Sequence, residues 1–99
     1  MEAPSISEAV IIWTGYDKSA RPSPGDSHLI ERFGADVPLE LITEVHRLYE
    51  EFYASDARLT SRDIMEMGRQ ASDRFRGLHP EIHEDAVKAL AWCYTFDFK

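Results

Sequence analysis

The chain has 99 residues, 43% of them apolar and 11% aromatic, with one cysteine. That suits a single domain with a hydrophobic core and excludes two domains, an intramolecular disulfide and a generally disordered chain. A net charge of −7, from 18 acids against 11 bases, opposes direct binding to nucleic acid or to an anionic membrane surface and favours a basic protein partner.

The opening Met1-Glu2-Ala3-Pro4 is acidic, and the apolar run from Ala9 to Trp13 is too short for a signal-peptide core or a membrane span. A cytoplasmic location with a reduced thiol is expected.

Residues 6–14 carry two signals. Val10-Ile11-Ile12-Trp13-Thr14 is β-branched and aromatic, as in a strand. Ser5 and Glu8 have the spacing of a capping box, Ile6, Ala9, Val10 and Trp13 recur on one helical face, and Gly15 stands where a helix stops. A strand would need a partner, and no second strand is visible later in the chain, so a short helix is favoured. Asp17 to Gly25, with two prolines and two serines, is a loop. A second short helix is expected over 26–33, capped by Asp26, with Leu29, Ile30 and Phe33 facing inward and Gly34 ending it.

Three longer helices follow. The first, over 37–54, opens at Asp36-Val37-Pro38 with the proline in its first turn. Leu41, Ile42, Val45, Leu48, Tyr49 and Phe52 recur along it at three- and four-residue steps. The second, over 61–76, has Thr60 as cap, Asp63 in the capping-box position and Leu59 with Ile64 as a hydrophobic staple. Ile64, Gly68, Ala71 and Phe75 fall on its inner face with Met67 beside them, and Gly77 ends it. Met65 and Met67, next to Ile64, read as core. The third, over 84–96, starts at Glu84 with Ile82 and Val87 as a staple if His83 is the cap. Its inner face is Ala86, Ala89, Leu90 and Cys93. Short connections make neighbouring helices antiparallel. The fold class is therefore all-α: a compact three-helix bundle with one or two short N-terminal helices laid across it.

No motif for catalysis, nucleotide or metal stands out, so a non-enzyme without cofactor or metal is expected. His79 and His83 have the i,i+4 spacing of zinc helices, but Pro80 interrupts them and no third ligand is evident. With nearby carboxylates they form the alternative, a small ligand- or metal-binding protein or enzyme. Cys93 reads as a small buried hydrophobe. The aromatic end, Trp92 to Phe98, is an alternative docking element for a subunit of a larger assembly.

The acidity is not uniform. Residues 36–56 hold Asp36, Glu40, Glu44, Glu50, Glu51 and Asp56 against Arg47 alone, whereas 57–78 carry five arginines against three acids. Arg62 with Glu66 and Arg69 with Asp73 are i,i+4 pairs that balance the second long helix. The first keeps an acidic stripe. Glu40, Glu44, Arg47, Glu50, Glu51 and Asp56, with Tyr53 as an aromatic anchor, form the candidate partner-binding site. They suit an inhibitor or immunity-type protein that masks a basic toxin or nuclease. The same stripe would also serve solubility alone, and oligomeric state is left open.

Overall fold

The computed structural model describes residues 5–16, 20–34 and 36–98; the Met1–Pro4 leader reading and the start of the 17–25 loop lie outside them. Among these residues the chain is all-helical, in six segments: α1 (Ile6–Thr14), α2 (Asp26–Phe33), α3 (Leu39–Tyr53), the single-turn α4 (Ala57–Thr60), α5 (Ile64–Leu78) and α6 (Glu84–Phe98). No helix among the described residues is long and apolar enough to cross a membrane.

Residues 6–14 form a helix. The Ser5 hydroxyl accepts from the Glu8 N–H at 3.1 Å, and Gly15 closes the helix at φ 81°, a left-handed conformation that side chains resist. Ala9, Val10, Ile12 and Trp13 are buried. α1 is therefore a core element and not a strap laid over one: it packs on α6 as extensively as α5 does.

Asp26 does not cap α2. The N-cap is Gly25, and the Asp26 side chain turns back across the bundle. Its Oδ1 accepts from the Trp13 indole N–H at 2.8 Å and lies 2.6 Å from His46 Nε2. One carboxylate oxygen thus joins α1, α2 and α3. The Trp13 ring adds edge-on contacts with His46 and Tyr49, at centroid distances of 5.2 and 4.9 Å. Of the three residues expected to face inward on α2, Leu29 is buried, Phe33 is half-buried and Ile30 is exposed.

α3 starts two residues later than the sequence suggests, because Pro38 has extended backbone at the N-cap and sits outside the first turn. Val45, Leu48 and Phe52 are its buried line.

The start of α5 differs most from expectation. Thr60 belongs to α4, and Asp63 is the N-cap, its carboxylate accepting from the Glu66 N–H at 2.8 Å. Glu66 reaches back to the Arg62 N–H at 2.9 Å. The cap has slid by three residues onto Asp63, and the returning Glu66 bond falls on the residue before the cap instead of on the cap's own N–H. The expected staple is absent: Leu59 is 76% exposed and Ile64 47%. Gly77 does not end the helix, which runs to Leu78 and is capped by His79, whose N–H meets the Phe75 carbonyl at 2.8 Å.

α6 begins at Glu84. His83 does act as a cap, its Nδ1 accepting from the Asp85 N–H at 3.1 Å, and the flanking Ile82 and Val87 are buried. α6 packs against α1, α3 and α5. Surrounded in this way it buries Ala86, Val87, Ala89, Leu90, Cys93 and Tyr94, a wider apolar belt than one stripe would need. The fully buried Tyr94 carries its polar end to the α3–α4 turn. It donates to the Ser55 carbonyl at 2.8 Å and accepts from the Arg58 N–H at 3.1 Å.

α5 and α6 approach closely at Gly68, where an added Cβ would stand 3.1 Å from Thr95 Cγ2. Thr95 has little freedom to yield, since its hydroxyl bonds the Ala91 carbonyl at 2.8 Å. Gly68→Val should therefore destabilise the fold by about 1–2 kcal/mol despite valine's better helix propensity. A urea midpoint equal to or above that of the parent protein would contradict this packing.

Candidate functional site

Because Val45, Leu48 and Phe52 point into the core, the helical period sends Glu40, Thr43, Arg47 and Glu50 outward. From Glu40 to Glu51 the helix rises about 16 Å, roughly three turns. The residues expected to meet a partner therefore do share one side of α3, with two exceptions near its end.

The stripe is partly knit together. The Arg47 guanidinium grips both oxygens of Glu44, with Nε at 3.0 Å from Oε2, and also reaches Glu51 Oε1 at 3.3 Å. These bonds hold the Glu44 carboxyl below the usual carboxylate range and raise Arg47 further. The other oxygen of Glu51 meets His79 Nε2. The His79 ring leans on Phe75 at 4.9 Å, and its Nδ1 lies 3.4 Å from Glu81. Exposed pairs of this kind add little stability. Their effect is positional: Glu44 and Glu51 are held in place. Glu40 and Glu50 make no side-chain hydrogen bond or ion pair among the described residues and stand in solvent.

Tyr53 and Asp56 are placed differently. The Tyr53 hydroxyl donates to Asp97 at 2.5 Å. Its half-buried ring packs among Tyr49, Tyr94 and Phe98 at 4.3, 5.4 and 5.8 Å. Burial, reinforced by Asp97, pushes its phenol strongly upward. This residue fastens the end of α6 to α3. Asp56 lies beyond the end of α3, where its carbonyl accepts from the Leu59 N–H at 2.8 Å as α4 begins.

His79 caps α5 and His83 precedes α6, so the two imidazoles do not share a helix face. Among the described residues no group of three or more His, Cys, Asp or Glu side chains is arranged to hold a metal ion. Cys93 is fully buried, and burial pushes its thiol up to about 12, which removes the thiolate that nucleophilic chemistry requires. In the aromatic C-terminal segment, Tyr94 is buried, and Phe98, 39% exposed, leans on it at 4.9 Å. Arg58 covers the Phe98 ring at 4.8 Å.

The sequence reading missed a set of apolar side chains left outside the core. Met67 is core, but Met65 is 86% exposed. The signal was available: counting from Met67, Ala71 and Phe75, Met65 falls off the buried face. Compared with known proteins, the chain matches no family model, no curated protein and no solved structure.

Proposed function

We propose that the protein is a small, non-catalytic binding module whose α3 face masks a basic surface of another protein, as an inhibitor or immunity-type protein masks a toxin or nuclease. The observation that carries this reading is the row of Glu40, Glu44, Glu50 and Glu51 along one side of α3, two of them held in fixed positions by Arg47. The row of carboxylates steers encounter with cations, and the two that Arg47 holds lose little side-chain entropy on docking. The net charge of −7 adds a long-range field of the same sign.

The test is affinity capture of basic proteins from the native host, with the parent protein and with the triple variant Glu40→Lys, Glu44→Lys, Glu50→Lys. Glu51 is left unchanged so that His79 keeps its partner. The captured protein is then assayed for nuclease or growth-inhibitory activity with and without this chain. Reversal should weaken binding about 100-fold or more, because each carboxylate becomes a repulsive charge, and association should slow steeply with added salt. Equal capture by parent and variant would remove the reading.

A further inference from the structure

We infer that the face between α5 and α6 is a second docking surface, one that takes an acidic amphipathic helix from a partner protein. α5 turns Met67, Ala71 and Phe75 inward, yet it leaves Ile64 47% and Met65 86% exposed. Those two side chains line a groove of about 470 Å³ together with Tyr16 and Trp92. The two rings meet edge to face at 5.3 Å. The floor is made shallow by Gly68 and Ser72 of α5 and by Ala91 of α6. An exposed methionine beside aromatic rings contributes little to folding and adapts readily to an apolar guest.

The charge around this groove inverts that of the whole chain. Among the described residues, Arg69, Arg76 and Lys88 line it and no carboxylate does, in a protein where acids outnumber bases 18 to 11. Arg76 is committed to Asp73 and Glu84. Arg69 reaches Asp73 only at 4.0 Å, and Lys88 acts on Glu84 through space without a close ion pair among the described residues. These two cations are the more loosely engaged of the three and can turn to an incoming carboxylate. Along α5, Ile64 to Arg76 spans about 18 Å, the length of roughly three helical turns. That length accommodates anchors at i, i+3/i+4 and i+7 of a helix laid in the groove.

The chemistry of the occupant follows: leucine-, methionine- or phenylalanine-like anchors on one face, flanked by glutamate or aspartate. A second copy of this chain does not meet that description. Its acidic helix, α3, has its apolar line of Val45, Leu48 and Phe52 buried in its own core. This surface is distinct from the acidic α3 face, so either can fail without the other.

The probe is a synthetic helical peptide of about 14 residues, with leucines at i, i+3, i+4, i+7 and i+11 and glutamates on both flanks. A matched peptide carries lysine for each glutamate. Binding is followed by NMR through the Met65 methyl and the Trp92 indole N–H. The glutamate peptide should shift both signals saturably, and the lysine peptide should bind at least about tenfold more weakly. Met65→Glu and the pair Arg69→Glu with Lys88→Glu should each weaken the glutamate peptide by a similar factor while leaving the melting temperature within a few degrees. The triple α3 reversal should not weaken peptide binding. Equal affinity for both peptides, shifts confined to other parts of the surface, or self-association through Met65 in sedimentation would overturn the proposal.

Discussion

Phe52→Ala should cost about 3–5 kcal/mol, the largest effect of any single substitution on α3. Phe52 is fully buried and stands where α3, α5 and α6 meet, with Phe75 at 5.3 Å and Tyr94 at 5.6 Å. Truncation removes its own transfer free energy and leaves a cavity. The rings around it cannot close that cavity, because Tyr94 is tethered through its hydroxyl to Ser55 and Arg58. A domain of this size is stable by about 5–15 kcal/mol, and each kcal/mol moves its midpoint by about 4–8 °C. The melting temperature should therefore fall by at least about 12 °C. Ile64→Ala and Met65→Ala are the matched controls. Both remove apolar atoms from α5, but from its exposed side, and should stay within about 0.5 kcal/mol. Calorimetry of the three variants is sufficient; an equal loss in all three would mean that the groove residues serve the fold.

Asp26→Ala should cost about 1–2 kcal/mol, more than loss of a surface acid normally does. The Trp13 indole N–H would lose its acceptor on a ring that is only 5% exposed, although water reaches Asp26, whose side chain is 44% exposed. His46 would lose its tie to α2 at the same time. Asp26→Asn should recover much of the loss, because its amide oxygen still accepts from the indole. Charge supplies the remainder. Hydrogen bonds from Trp13 first, and from His46 next, hold the Asp26 carboxyl below its ordinary value near 3.8. A carboxyl depressed by folding adds stability above its unfolded value, and that contribution is lost as pH falls through the lower folded value. Stability of the parent protein should thus decline below about pH 4 with a steeper acid limb than Asp26→Asn shows. Urea midpoints at pH 3 and pH 6 measure the difference. Identical acid limbs in the two proteins would show that the carboxylate charge does not matter there.

Much of this architecture was legible residue by residue. Ser5 and Gly15 bracket α1 correctly because a cap and a left-handed stop are local devices, readable within one turn. The inner line of α3 followed from its period alone. What could not be read came from contacts distant in sequence. Asp26 has the look of a cap, but Trp13 and His46, thirteen and twenty residues away, take its carboxylate. Thr60 and Asp63 are both acceptable caps, three residues apart. The choice falls to Asp63, with 57–60 formed as a separate turn in which the Tyr94 hydroxyl binds the Arg58 N–H. For the candidate site, the clustering of acids on α3 was visible in composition. The i,i+3 and i,i+4 bridges of Arg47 to Glu44 and Glu51 were implicit in the spacing. The capture of Glu51 by His79 was not, since that pair spans 28 residues, and neither was the inward engagement of Tyr53.

The packing of α1 on α6 carries a consequence for how the chain is made. Synthesis runs from the amino end, and domains close only when their distant parts coexist. The buried face of α1 is covered in part by a helix that spans Glu84–Phe98 and in part by α2 and α3. While the ribosome is still adding the intervening residues, that apolar face has no α6 to cover it. α2 and α3 shield part of it earlier. Complete burial of α1 therefore waits until α6 has been made.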